Sequence, residues 1–279
     1  MALETSKTGF ETLRFERDGN IGWLRLYRPE RLNSFTVQMW RELREFGAAM
    51  VDDTELRALV VTGEGRAFSS GIDTSVFTGG SDNDIGADVE PGTHADPSVA
   101  AIMQTQDAYT WLEEAPYPTI AAVHGYALGA GLQLALACDI RVFARGTEVG
   151  LLEHKYGILP DLGGTQRLPR VVGPGKAKEL IWTAARIDAD EAYRIGLCER
   201  LVDADALLDE SRALAELIAA QPPLAVRGAK RAIAAAATLP VREGLVVEAE
   251  AQAVCLASND MREAIGAFVG QRPPEYTGT

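Results

Sequence analysis

Apolar and polar residues alternate over residues 13–17 and again over 21–26, on either side of Asp18-Gly19-Asn20. A period of two around a turn-forming centre predicts a β-hairpin. Over residues 36–51 the spacing changes. Val37, Trp40, Leu43, Phe46 and Met50 recur at intervals of three and four, which predicts an amphipathic helix. Short apolar runs at 57–62, 119–124 and 139–144 predict strands, and strands separated by helices imply a layered α/β arrangement with crossover connections. After residue 203 the pattern turns helical, with segments at 204–220, 224–239 and 241–257 divided by Pro222-Pro223 and by Pro240. The chain is therefore expected to divide into an α/β core, residues 1–202, and a carboxy-terminal helical domain, residues 203–279. Residues 78–95 carry four glycines, several acids and Pro91, a composition that buries little and predicts a mobile surface loop.

Composition narrows the classes. The 279 residues are 47% hydrophobic, ample for one large core with a helical appendage. A formal net charge of −13 repels phosphate backbones and argues against a nucleic-acid partner. Cys138, Cys198 and Cys255 are odd in number and far apart, which suits a reducing cytoplasm rather than a disulfide framework. His94, His124 and His154 stand at no metal-ligand spacing with them, so no metal site is expected. The first twenty residues show no apolar signal-peptide core. Residues 119–138 are long enough to cross a bilayer, but they contain His124, Gln133 and three glycines and run straight into Asp139. A strand, a glycine turn and a buried helix are expected there, and no membrane partner.

Two glycine turns follow predicted strands: Ala67-Phe68-Ser69-Ser70-Gly71-Ile72-Asp73, and Gly125-Tyr126-Ala127-Leu128-Gly129-Ala130-Gly131. Small residues let backbone approach a ligand, and the start of a helix offers free N–H groups to an oxygen gaining negative charge. The same features also fit ordinary tight turns packing helix on sheet. The second turn lacks dinucleotide-binding spacing, and Gly175-Lys176 is followed by Ala177, so neither is a phosphate loop. Ser69 lies one glycine short of a nucleophile elbow. Glu153 and Asp161, set among apolar residues and glycines, could carry raised pKa values and act as proton acceptor and donor, or be solvated loop acids.

Together these segments resemble the enoyl-CoA hydratase/isomerase (crotonase) family over nearly the whole chain. The marks are Arg28-Pro29-Glu30-Arg31-Leu32-Asn33, then AFSSGID from Ala67, AAVHGYALGAGLQLALACDIRV from Ala121, GILPDLGGTQRLPRVVG from Gly157 and IDADEAYRIGLCERLV from Ile187. The resemblance implies an α/β fold, a crotonase-like spiral of ββα units with a carboxy-terminal helical domain, assembled as a homotrimer or dimer of trimers. It implies an acyl-CoA thioester as substrate, with coenzyme A part of that substrate and no separate cofactor. The thioester oxygen would sit between the backbone N–H groups of Ile72 and Ala130, which would stabilise an enolate. Of the two glutamates that hydratases of the family use, this sequence keeps Glu153 and has Gln133 at the other position. An amide exchanges no proton near neutral pH, which counts against a two-glutamate addition of water and leaves Gln133 able to hold a water or a substrate oxygen. Asp161 falls where the family's dienoyl-CoA isomerases and chlorobenzoyl-CoA dehalogenases have a catalytic aspartate. The dehalogenases have tryptophan at the Glu153 position, whereas the isomerases have glutamate there and a further aspartate at the Gln133 position. The expected activity therefore leans to double-bond isomerisation by Glu153 and Asp161. Hydration through Glu153, hydrolysis or carbon–carbon cleavage of a specialised thioester, and acyl-CoA binding without catalysis stand as alternatives. Arg28 and Arg31, with Ser70 and Asp73 of the first glycine turn, are the expected coenzyme A contacts.

Overall fold

Strands β1 (Leu13–Asp18) and β2 (Ile21–Leu26) pair antiparallel, Leu13 opposite Leu26, across a tight turn in which Gly19 takes φ +59°. The computed structural model describes residues 9–78, 85, 89, 92 and 94–279. A 3-10 turn (Pro29–Arg31) leads into α1 (Val37–Met50), whose first turn is capped by the Thr36 hydroxyl accepting the Met39 N–H. There follow β3 (Ala58–Gly63), α2 (Ser75–Thr78), α3 (Pro97–Glu114), β4 (Thr119–Val123), β5 (Tyr126–Leu128) and α4 (Ala130–Ala137). Next come β6 (Ile140–Ala144), β7 (Glu148–Gly150), a 3-10 turn (Glu153–Tyr156), α5 (Gly164–Val172), α6 (Pro174–Thr183), β8 (Ile187–Asp188), α7 (Ala189–Arg194) and β9 (Arg200–Val202). Four helices close the chain: α8 (Leu207–Ala219), α9 (Pro223–Ala236), α10 (Val241–Ala257) and α11 (Asn259–Gly270).

Six strands form one sheet in the order β1-β2-β3-β4-β6-β9, parallel from β2 onward, and β5, β7 and β8 form a second, smaller sheet. The ββα order recurs as β1-β2-α1, β4-β5-α4 and β6-β7 followed by the 3-10 turn and α5, so the fold is the expected α/β spiral of ββα units with carboxy-terminal helices. Every residue of β3 and β4 is buried, because a parallel sheet is covered on both faces. Leu59, Val61, Ala121 and Val123 face a core shared with Leu43, Phe46, Tyr109 and Leu112 of α1 and α3. Val60, Ile120, Ala122 and Val142 face Leu207, Leu214 and Ala215 of α8. Helices α1 and α3 touch closely at Gly47, where a Cβ would lie 2.4 Å from Trp111 Cγ.

Beyond the expected boundary at residue 203, α8 packs back on the sheet, whereas α10 buries none of its residues and α9 buries only Pro223. Lys230 ties α9 down: its Nζ donates to the carbonyls of Leu112 (2.9 Å) and Tyr117 (3.0 Å) and pairs with Asp139 (2.8 Å). Residues 119–138 resolve into β4, β5 and the eight-residue α4. Among the described residues no helix is long and apolar enough to cross a membrane. The loop expected over residues 78–95 lies mostly outside the described residues. Helix α11 was not foreseen, nor were the strands β5, β7 and β8, whose two or three residues are too few to carry a periodicity.

Candidate active site

The two glycine turns meet in the fold. Ser69 donates its N–H to Tyr126 (2.8 Å), and Leu128 donates its N–H to the Ser69 carbonyl (3.1 Å), so the first turn runs as a parallel neighbour of β5. The approach leaves no room for side chains. A Cβ on Gly71 (φ +102°) would lie 2.9 Å from the Leu128 oxygen. One on Gly129 (φ +51°) would lie 4.0 Å from Gly71 Cα and 3.2 Å from Glu153 Oε1. Ser69 holds the bend from within, its Oγ donating to the Asn33 carbonyl (2.8 Å) and accepting the Gly71 N–H (3.2 Å).

Ile72 and Ala130 follow the two meeting glycines. Phe35 bridges across Ile72, donating to the Gly71 carbonyl and accepting from the Asp73 N–H, and thereby leaves the Ile72 amide unused. Ala130 opens α4, where no preceding carbonyl reaches its amide. Among the described residues neither N–H donates to a protein acceptor. Two unused backbone donors thus lie next to the point where the glycine turns meet, and Gly129 there stands beside the Glu153 carboxylate.

Glu153 opens the 3-10 turn after β7 and is 5% exposed. Its Oε1 accepts the Gln133 Nε2–H at 2.8 Å, and its Oε2 is buried without a partner among the described residues. Burial pushes the Glu153 carboxyl up to about 7. The Gln133 bond opposes that rise in part and the nearby Asp161 carboxylate adds to it. Gln133 projects from α4 at 1% exposure, and its Oε1 accepts the Gly164 N–H at 2.9 Å. The Gln133 amide oxygen thus accepts from backbone and one of its N–H groups goes to Glu153, which leaves its second N–H to hold a water or a substrate oxygen. Asp161 is half-buried, burial raises its pKa, and its carbonyl accepts from Gln106 Nε2 at 2.6 Å.

Of the expected coenzyme contacts, Arg28 and Asp73 pair with each other at 3.0 Å, and Arg28 also donates to the Ser34 carbonyl (2.6 Å). Burial works against ionising Asp73, but hydrogen bonds from Ser75, Arg28 and Ser34 hold its carboxyl well below the usual range. The Arg28 charge is thus already balanced inside the protein. Arg31 is exposed, and Ser70 is half-buried with its N–H given to Leu32. Among the described residues no group of three or more His, Cys, Asp or Glu side chains could hold a metal ion.

Three supporting residues escaped the sequence reading. Tyr109, fully buried on α3, accepts from Trp40 Nε1 (3.3 Å) and donates to the Ala130 carbonyl (3.1 Å). Burial chiefly, with Glu153 and Asp161 nearby, raises its pKa well above the ordinary phenol value. Arg167, nearly buried, donates to the Leu162 carbonyl (2.9 Å) and pairs with Glu113 of α3 (2.6 Å). Gly163 must be glycine beneath it, since a Cβ there would meet Arg167 Nη1. Gln106 is the third. Polar residues inside an apolar helical pattern read as a solvated face, so nothing local marked Gln106 or Glu113.

A profile described as enoyl-CoA hydratase/isomerase matches residues 16–279. A protein of Mycobacterium tuberculosis named "probable enoyl-CoA hydratase" is 38% identical over 268 residues, covering 96% of this chain and 98% of that one. The crystal structure of enoyl-CoA hydratase from Bacillus anthracis superposes with a TM-score of 0.85 at 33% identity, covering 96% of this chain and all of that one. A Thermobifida fusca structure in complex with CoA gives a TM-score of 0.79 at 38% identity, covering 88% and 93% of the two chains.

Proposed function

The chain belongs to the enoyl-CoA hydratase/isomerase family, and we propose that it moves a double bond along an unsaturated acyl-CoA thioester, with Glu153 and Asp161 as its proton-transfer pair. The thioester oxygen accepts from the Ile72 and Ala130 N–H groups. Glu153 Oε2, the oxygen that Gln133 leaves free, takes a proton from C2. The electron pair released passes into a dienolate whose negative oxygen rests on the two amides, which bind it more strongly than the starting carbonyl. Return of the proton to C4 of a 3-enoyl chain gives the 2-enoyl isomer. With a 3,5-dienoyl chain, protonation at C6 falls to Asp161 and gives the 2,4-dienoyl isomer. Glu153 then holds the proton from C2 while the proton of Asp161 has gone to C6, so release of one proton from Glu153 and uptake of one by Asp161 reset the pair with no net gain or loss. Burial brings the Glu153 carboxyl to about 7, where it exchanges protons at neutral pH, and raises that of Asp161.

The observation that carries this reading is the position of Gln133. Its amide bridges Glu153 and Gly164 and exchanges no proton, so the carboxylate near enough to Glu153 to share proton transfer is Asp161 rather than a group on α4. Hydration by Glu153 alone is the second reading, supported by the hydratase names of the relatives. Incubation with 2-enoyl-, 3-enoyl- and 3,5-dienoyl-CoA esters separates the two: water addition raises the product mass by one water, while isomerisation changes only the ultraviolet spectrum. Hydration of 2-enoyl-CoA without isomerisation of either other ester would overturn the proposal. Free coenzyme or acid among the products would indicate hydrolysis, and binding without turnover a carrier.

We assign the nucleotide end of the substrate to exposed Arg31 and the Ser70 lip, framed by the Arg28–Asp73 pair. Assembly as a trimer or dimer of trimers is supported by apolar side chains that α10 and α11 leave exposed, including Val241, Leu245, Phe268 and Val269. Three unpaired cysteines support a reducing, cytoplasmic setting.

A further inference from the structure

Helix α3 carries none of the groups assigned to the chemistry, yet three of its side chains hold the segments that do. Gln106, Tyr109 and Glu113 are spaced three and four residues apart and so share one face. Gln106 donates to the Asp161 carbonyl at 2.6 Å, and Tyr109 donates to the Ala130 carbonyl at 3.1 Å. Glu113 holds Arg167, which donates to the Leu162 carbonyl. Tyr109 and Arg167 are buried and make several contacts each, so their loss would loosen the core at large. Gln106 differs. It is half-buried, and among the described residues its side chain bonds to the peptide that carries Asp161.

The loop on which Asp161 sits needs such a tie. Gly157, Ile158 and Leu159 are exposed, and packing resumes only at Pro160 and Leu162. A carboxyl that must reach a distal carbon has to be placed within a fraction of an ångström, and a misplacement of about 1 Å can cost about 100-fold in rate. We infer that Gln106 is a positioning residue for proton transfer by Asp161, fixing its backbone and thereby the reach of its carboxyl along the acyl chain. This rests on the reading of Asp161 as the distal proton donor.

The test is a double-mutant cycle on the full-length protein. The wild type, Gln106→Met, Asp161→Asn and the double variant are compared on 3,5-dienoyl-CoA and on 3-enoyl-CoA. Methionine keeps the length and bulk of glutamine and removes the donor. Gln106→Met should lower kcat on the dienoyl ester by about 10- to 100-fold with KM little changed, and should lose far less on the 3-enoyl ester, where the proton returns closer to the thioester. In the Asp161→Asn background the same change should add less than about twofold, because a residue that acts through another has no further effect once that one is disabled. Equal losses on both esters, or a loss that multiplies fully with Asp161→Asn, would make Gln106 a general packing residue and overturn the inference while leaving the role of Asp161 standing. Wild-type turnover of the dienoyl ester by Asp161→Asn, or a wild type inactive on that ester, would remove the reading of Asp161 and this inference with it. Should Gln106→Met fail to fold, Gln106→Glu, which sets an acceptor against the Asp161 carbonyl, carries the same cycle with the same expectations.

Discussion

Gln133 donates its amide N–H to Glu153 Oε1 at 2.8 Å while its own oxygen accepts the Gly164 N–H at 2.9 Å. The second bond prevents the amide from turning over, so the first always presents a donor to the same carboxylate oxygen. A proton on Glu153 therefore sits on Oε2, since Oε1 is already accepting.

That arrangement predicts a pH dependence. The ionised Glu153 is the base, so kcat/KM for 3-enoyl-CoA should rise through about pH 7, where burial has moved its pKa. Gln133→Met removes an N–H that favours the ionised form, so the rising limb should shift to higher pH. A limb that stays in place in the variant would show that the bond does not tune the base.

Glu153→Gln should lower kcat by about 100- to 10,000-fold, the usual worth of acid–base help. Its effect on stability should have the opposite sign. The folded-state pKa of Glu153 lies above the ordinary 4.5, so the folded protein holds a proton that the unfolded chain releases. Wild-type stability should therefore fall as pH rises from 4.5 to 7, by roughly 3 kcal/mol, and level off above. Glu153→Gln lacks this loss, so its Tm relative to wild type should climb between pH 5 and pH 8. Parallel Tm curves would contradict the buried carboxyl.

Gly129 takes φ +51° against the Glu153 carboxylate, and a Cβ would lie 3.2 Å from Oε1. Gly129→Ala should cost about 1 to 3 kcal/mol through backbone strain. It should also lower kcat by tilting the Ala130 amide and pushing Glu153 aside. Urea denaturation together with steady-state kinetics reads both, and an active variant of wild-type stability would place the oxyanion site elsewhere.

Lys230 is the polar anchor of α9 on the core, with two carbonyls and Asp139 as partners. Lys230→Met should destabilise the protein by roughly 2 kcal/mol, the scale of hydrogen bonds to a charged group, and leave KM little changed. Limited proteolysis should then cut first between α8 and α10. Cleavage that begins in the core strands instead would argue that apolar packing alone holds the tail.

Much of the frame was legible in the chain itself. The β1-β2 hairpin, α1 and the strands β3, β4 and β6 follow from periods of two and three to four and from short apolar runs, which are properties of neighbouring residues. The glycine turns and the acids Glu153 and Asp161 were legible as candidates for the same reason, being short motifs in fixed order. What the candidates touch was decided only by tertiary structure. Gln133 meets Glu153 from twenty residues away and Gly164 from thirty-one, while Gln106 reaches Asp161 across fifty-five. Arg28 finds Asp73 across forty-five, a pairing of two expected coenzyme contacts that no local run of residues announces. Likewise, the raised pKa of Glu153 comes from removal of water, and burial is made by the whole packed fold rather than by any local run of residues.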